Sequence, residues 1–291
     1  MRDAVGGTRV RVDAHGPFDH RAALATLAAH LVEGLHRLDL ATGTFSRWVE
    51  LRGEAHPVVV RLDAGGTSLE TPTQDAAVHA ALRNLATHWF DLDADLAPVD
   101  AHLGADPLFA AQVRERPGLR ITRFRHPFEA VICTVLGQQV SLAAGRLFAA
   151  RLVAAYGTDP ADGARTSAGG LRRFPSPAAL AVVQVEELRA AIGLTGSRAR
   201  TVHEAAVLCA EQDGGETLPD RDLLRQVHGI GAWTLDHLAL RAGTDVDAFP
   251  GSDAVLRRAL AALDPAAGPE RIASWSPYRG YAATRLWAFG L

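Results

Sequence analysis

The spacing of apolar residues changes along the chain, and that change restricts the fold more than anything else in the sequence. Residues 8–70 are mixed. Arg9–Asp13 and Ser46–Arg52 alternate apolar with polar, and Pro57–Leu62 is rich in valine. The turn Asp63-Ala-Gly-Gly66 leads into a short strand around Ser68–Glu70. Between these strands Asp19–Leu38 carries Ala22, Leu24, Leu27, Leu31 and Leu35 at helical spacing, with Asp19 near the cap. Thr73–Phe90 holds a second helical stripe. A small antiparallel sheet with two helices is therefore predicted, ending in an aspartate-rich stretch that runs to Asp106. Beyond it the period is helical almost throughout. Phe128–Ala155 is one long apolar stretch punctuated at Gly137. Pro175–Ile192, Arg198–Glu211, Asp220–Val227, Trp233–Arg241, Asp253–Leu263, Pro269–Trp275 and Gly280–Phe289 are the other helices. Thr158–Gly170 reads as a flexible surface loop. The expected fold class is α+β in two parts. Residues 1–106 form a mixed domain of antiparallel sheet and two helices, and residues 107–291 a helical region.

Composition removes some chemistry. Among 291 residues there are 30 basic side chains, every one of them arginine, against 33 Asp and Glu, for a formal charge of −3. Without lysine there is no Schiff base, no lysine general base and no lysine for a Walker-type phosphate loop. Arginine does not substitute, because it stays protonated in proteins. The wealth of Ala, Gly and Arg fits the coding bias of a GC-rich genome, but the chemical exclusion holds whatever the cause. The two cysteines, Cys133 and Cys209, sit in apolar runs and are expected as reduced thiols rather than a disulfide. They are too few for a cysteine zinc site or an iron–sulfur cluster, and the histidines show no ligand spacing, so no metal site is expected. No apolar stretch approaches signal-peptide or membrane-span length, which together with the thiols suggests a cytoplasmic protein without membrane partners. The charge is uneven. Residues 1–113 hold 9 Arg and 15 acids, and residues 114–291 hold 21 Arg and 18 acids. A polyanion would meet the second region, although a plain solvated charge pattern explains the distribution equally well.

Four local patterns can carry chemistry. Leu223-Leu-Arg-Gln-Val-His-Gly-Ile-Gly231 joins two helices through a Gly-hydrophobic-Gly turn. Gly229 and Gly231 permit close backbone approach, Ile230 anchors the turn, and the free amides of the following helix suit a phosphate. Alone, such a turn is most often only a turn. Asp253 opens a helix after Phe249-Pro-Gly-Ser252; it is first of all an N-cap residue. The amides and dipole at that position also suit a carboxylate facing a cationic transition state at a sugar carbon, or one activating water. Trp233, Tyr278, Tyr281 and Trp287 are core candidates whose faces could equally stack on a flat base. In Leu136-Gly-Gln-Gln-Val-Ser141 a polar pair, Gln138 and Gln139, interrupts an apolar run and reads as a loop or as side chains at a DNA groove.

Together these patterns resemble the helix-hairpin-helix superfamily of DNA glycosylases, and within it the bacterial alkylation-repair branch. His228-Gly-Ile-Gly-Ala-Trp-Thr234 precedes Asp253 by about 20 residues, Trp287 follows 34 residues after Asp253, and the Gln pair lies about 90 residues upstream of the hairpin. The resemblance covers nearly the whole chain, the N-terminal third by layout more than by motif. It implies a monofunctional enzyme, acting as a monomer on double-stranded DNA, that flips an alkylated purine out of the duplex and hydrolyses its N-glycosidic bond. Asp253 then matches the essential carboxylate, and Trp233, Trp287, His237 and Tyr281 form the base pocket. His237 departs from the pattern, since the bacterial enzyme has a tyrosine there. Gln139 takes the wedge position, with Gln138 beside it, while Gly229, Gly231 and Thr234 match the hairpin that grips the phosphate backbone. Lyase relatives carry a catalytic lysine where Trp233 stands. No cofactor is required by this reading; in this family the hairpin backbone often holds a monovalent cation. A glycosylase for oxidised or mismatched bases and a non-catalytic DNA-binding module are the alternatives, and the second needs neither Asp253 nor the aromatic set.

Overall fold

The computed structural model describes residues 7–159 and 169–290, and its first region is a five-stranded antiparallel sheet. Strands β1 (Thr8–Asp13), β2 (Arg37–Asp39), β3 (Thr44–Leu51), β4 (Glu54–Asp63) and β5 (Gly66–Thr71) lie in the order β1-β5-β4-β3-β2. Tight turns set the register. Arg52 and Gly53 join β3 to β4 with φ of 55° and 80°, the backbone a two-residue hairpin requires. At Gly66 φ is +146° and an added Cβ would lie 2.3 Å from the Val12 carbonyl, so only glycine fits. Val10 pairs with Leu69, Leu69 with Val60 and Val60 with Phe45, which puts all four on one face. Helices α1 (His20–Ala29) and α2 (Ala76–Phe90) supply Ala23, Leu27, Val78, Leu82 and Trp89 to the same core.

The rest of the chain is helical: α3 (Ala97–Gly104), α4 (Pro107–Glu115), α5 (Pro127–Gly137), α6 (Leu142–Tyr156), α7 (Pro177–Ala181), α8 (Val185–Ile192) and α9 (Gly196–Gln212). These are followed by α10 (Arg221–Gln226), α11 (Ala232–Arg241), α12 (Ala254–Leu263), α13 (Pro269–Ser274) and α14 (Arg279–Gly290). They build two cores. One gathers α5, α6, α8 and α9 around Ile132, Leu136, Leu152, Leu188 and Val202. Its centre is α5, which is buried on nearly all sides from Phe128 to Leu136 and largely apolar there, apart from Glu129 and Thr134. The other joins α3, α4, α12 and α14 through Leu103, Phe109, Leu256 and Leu286, with Trp275. Helix α11 serves both, with Leu238 in the first core and Leu240 in the second.

Two expected helices are shorter. The predicted helix Asp19–Leu38 stops at Ala29, although Asp19 does cap it by accepting from the Ala22 amide at 2.9 Å. Residues 37–39 leave the helix to pair with β3, and Leu35 turns into the α5 core instead. Pro175–Ile192 divides into α7 and α8, because buried Val183 packs into the core in the break between them. The aspartate-rich stretch is itself ordered and contains α3, a third helix ahead of residue 107. Arg123 binds Asp91 at 2.8 Å and Arg285 binds Asp100 at 2.7 Å. Asp106 accepts from Trp275 Nε1 at 2.8 Å and pairs with Arg271. Asp100 and Asp106 therefore anchor α14 and α13, and Asp91 holds the segment that leads into α5. Most of the expected loop Thr158–Gly170 lies outside the described residues. Both cysteines are free thiols, Cys209 buried and Cys133 partly so.

Candidate active site

The hairpin between α10 and α11 is built as its glycines suggest. Gly229 has φ of +79°, and a Cβ there would meet Thr201 Oγ1 at 2.6 Å. Ile230 is buried in the α5 core. Gly231 begins α11 with extended backbone, open space around it and no side-chain cap, so the first amides of that helix stay available to a ligand. Gln138 is turned inward: its Nε2 donates to the Gly229 carbonyl at 3.0 Å and to Thr234 Oγ1 at 2.8 Å. It clamps the hairpin to the end of α5, and Thr234 is buried beneath it. Gln139 is exposed in the α5–α6 turn with φ of +53°, a left-handed conformation that glutamine rarely adopts.

Asp253 is the N-cap of α12, and four N–H groups converge on it. Oδ1 accepts from the amides of Val255 and Leu256 at 2.9 and 3.0 Å and from Trp287 Nε1 at 3.3 Å. Among the described residues Oδ2 accepts only from Trp233 Nε1, at 3.1 Å. The first oxygen is spoken for, whereas the second keeps lone-pair capacity for a water or a sugar. The two tryptophans come from α11 and α14, so the carboxylate is positioned by three helices at once.

Asp253, Trp233, Trp287 and His237 line one cavity of about 370 Å³, within the range of small-molecule sites. It lies between the helical region and the end of α1. His237 stacks on Trp233 with ring centroids 5.2 Å apart and meets Trp287 edge-on at 5.8 Å. Burial, with Arg241 adding to it, pushes His237 down to about 3, so its ring is neutral at physiological pH. Tyr281 is not part of this pocket. It sits in the α12–α14 core and donates its hydroxyl to Asp91 at 2.7 Å.

The cavity also holds side chains that the sequence reading passed over. Arg241 follows Trp233 and His237 on the same face of α11, at i+8 and i+4, a spacing that could have revealed it. His30, from the end of α1, lies beside Phe124 at 6.4 Å, and no local signal pointed to it. At the other end Glu129 of α5 forms a bidentate pair with Arg47 of β3, at 3.0 and 2.7 Å, joined by Arg125 at 3.2 Å. Burial would raise the Glu129 carboxyl, but Arg47 and its neighbours hold it well below the usual range. Arg47 also donates to His36 Nε2, and burial with Arg47 pushes His36 down to about 4.

Comparisons with known proteins agree with this architecture. Residues 9–125 match the AlkA N-terminal domain, and residues 132–272 match the HhH-GPD superfamily base excision DNA repair protein family. The chain is 32% identical over 306 residues to a probable bifunctional transcriptional activator/DNA repair enzyme AlkA of Mycobacterium tuberculosis. That match takes in 98% of this chain but 57% of the relative, so the chain spans little more than half of the mycobacterial protein's length. It is 28% identical to DNA-3-methyladenine glycosylase 2 of Escherichia coli over 279 residues, 93% of this chain and 94% of that one. Its fold is similar to that of a 3-methyladenine DNA glycosylase from Archaeoglobus fulgidus, with a TM-score of 0.80 at 19% identity and 97% coverage of both chains. With an AlkA-type sheet domain leading into a hairpin-bearing helical region, the chain belongs to the HhH-GPD superfamily of base excision DNA repair proteins.

Proposed function

We propose that this protein is a monofunctional DNA glycosylase that releases alkylated purines from duplex DNA and leaves an abasic site. The observation that carries this reading is the Asp253 carboxylate, held by two indole N–H groups and two backbone amides at the wall of an aromatic cavity. A pure DNA-binding module has no use for such a group. The hairpin amides take a DNA phosphate, and exposed Gln139, at a turn beside the cavity, is the side chain offered to the gap left by a flipped base. Flipping costs a few kcal/mol, less at a damaged base. Trp233 and Trp287 receive the base. An N-alkylated purine carries positive charge and leaves with little acid assistance. Oδ2 of Asp253 then faces the electron-poor sugar carbon as the bond to the base breaks, and water completes the hydrolysis. Trp233 occupies the position of the amine in lyase relatives, which favours hydrolysis over strand cleavage.

A monovalent cation would be held at the hairpin by main-chain oxygens. The Val227 and Gly229 carbonyls each accept one hydrogen bond and keep a second lone pair, a donor type that fits a hard cation.

Asp253→Asn is the direct test. Asparagine caps a helix as well as aspartate does, so α12 should persist. Single-turnover release of 3-methyladenine and 7-methylguanine from methylated duplex should fall by about 100-fold or more, with duplex binding retained. Release at the wild-type rate would refute the mechanism.

A further inference from the structure

The turn between α5 and α6 is strained at Gln139, an exposed side chain with φ of +53°. A left-handed residue often ends a helix, but among the described residues the amides of Gln139 and Val140 make no bond back to α5, so this is not such a cap. The surroundings must impose the conformation, a condition that recurs at functional turns. Gly137, Val140 and Leu142, on either side of Gln139, line the cavity, so the turn stands at its edge. Arg198, in the first turn of α9, reaches across to this turn, and its Nη2 donates to the Gln138 carbonyl at 2.5 Å. That carbonyl shares a peptide plane with the Gln139 nitrogen, so holding it fixes the rotation that φ measures. The guanidinium is half-buried and lies 5.8 Å from the centroid of the Phe148 ring of α6. Burial alone draws its pKa down, with no acid opposing it. Beside it, Ser197 Oγ and His228 Nε2 are in hydrogen-bond contact at 2.9 Å, and the Gln138 side chain already binds the Gly229 carbonyl. The hairpin, the start of α9 and the α5–α6 turn are thus one framework.

We propose that Arg198 is a positioning residue that aims Gln139 into the duplex. The proposal rests on the reading of Gln139 as the side chain offered to the gap left by a flipped base. A side chain fills that gap only if it stands at a set place relative to the phosphate grip of the hairpin. The bond from Arg198 to the Gln138 carbonyl sets that place, because α9 and the hairpin are tied together. Without it the peptide plane turns, Gln139 relaxes to the negative φ that side chains prefer, and its amide swings away from the gap. The flipped state then loses its filler and the base returns to the stack, while the hairpin amides and Asp253 are untouched. A lysine keeps one charged donor but neither the fork nor the flat face that lies on Phe148, so it holds the carbonyl only in part.

The test is single-turnover release of 7-methylguanine from methylated duplex at saturating protein. Arg198→Met should lower the rate about tenfold, the worth of one hydrogen bond from a charged donor. Arg198→Lys should recover part of the loss. Gln139→Gly keeps the left-handed turn without the side chain, and it should be slow as well. Adding Arg198→Met to Gln139→Gly should slow release no further, because nothing is left to aim. Affinity for undamaged duplex, and its salt dependence, should stay as in wild type. Thermal unfolding of each variant reports folding, and Arg198→Gln, whose amide falls short of the carbonyl, replaces a Met variant that does not fold. Losses that multiply in the double variant would overturn the proposal, since Arg198 would then act apart from Gln139. A shallower salt dependence for Arg198→Met would overturn it too, because that marks a phosphate contact. So would release at the wild-type rate by Arg198→Met. Release at the wild-type rate by Gln139→Gly would instead sink the gap-filling reading of Gln139, and this proposal with it. No release by wild type would sink the glycosylase reading itself.

Discussion

At the scale of single residues, the two oxygens of Asp253 have different duties. Oδ1, with three N–H donors, fixes the carboxylate to α12 and α14, while Oδ2, with one, keeps the lone-pair capacity that the proposed reaction would use. The sequence placed Asp253 at a helix start, and a cap was the plainer reading of it. The cap is observed, and it leaves room for the proposed role, since the capping bonds fix how the carboxylate is aimed. The division of labour makes a prediction for Trp287→Phe. The ring remains to stack on a base, but Oδ1 loses an N–H donor, and base release should slow by about tenfold, the equivalent of roughly 1.4 kcal/mol. A single-turnover rate unchanged from wild type would show that Trp287 does not position the carboxylate. Tyr281 shows the opposite outcome. Its type and place in the sequence suited a base pocket, but its hydroxyl found Asp91 from a segment 190 residues away. Such a pairing leaves no local mark in the sequence.

At the scale of elements, the hairpin was the most legible part of the chain. Gly229 and Gly231 are spaced for a tight turn, and Ile230 anchors it as expected. The role of Gln138 was not legible. A glutamine in an apolar run suggests a solvent or groove contact, but here its amide ties α5 to the hairpin. Gln138→Ala should therefore destabilise the protein by about 1–3 kcal/mol, because Thr234 Oγ1 is left buried without its partner. Urea unfolding at neutral pH measures this. Gly229→Ala brings a methyl group against Thr201 and strains a left-handed backbone, at a cost of about 1–3 kcal/mol. Its effect on DNA affinity should exceed that of Gln138→Ala, since the turn carbonyls and amides move with it, and fluorescence anisotropy with a duplex oligonucleotide compares the two. Helix boundaries were less legible than helix existence. Leu31 and Leu35 continue the stripe of α1, yet three residues of β2 gain more from pairing with β3 than from two further helical turns.

At the scale of the whole molecule, a buried charge network ties the sheet to the helices. Arg47 stands on the inner face of β3 between Phe45 and Val49, and Glu129 is on the central helix α5. Glu129→Gln leaves Arg47 and Arg125 buried without a counter-charge, and should cost about 3–5 kcal/mol, read as a fall in Tm. The same region sets a pH dependence. His36, buried beside Arg47, takes a proton only near pH 4, while in the unfolded chain it does so near 6.5. Between those values the unfolded state binds more protons. The stabilisation is therefore complete above about pH 6.5 and lost as pH falls towards 4, about 3 kcal/mol for His36 alone. His126, also pushed down to about 4, adds to the same window. Urea midpoints should drop from pH 7.5 to pH 4.5; a flat profile would show that these rings are not buried as neutral groups. By itself the sequence determined the parts: which segments alternate, which are helical, where the hairpin turns, and that the chain has no lysine. Such properties are written in local spacing and side-chain chemistry. Only the tertiary structure decided which charges are neutralised and which are not. Asp91, Asp100 and Asp106 are taken up by Arg123, Arg285 and Arg271, while Arg241 has no carboxylate partner among the described residues and lies over the rings of Phe124 and Trp287. A charge's partner is chosen by proximity in space, and proximity between residues a hundred or more positions apart exists only once the cores have packed.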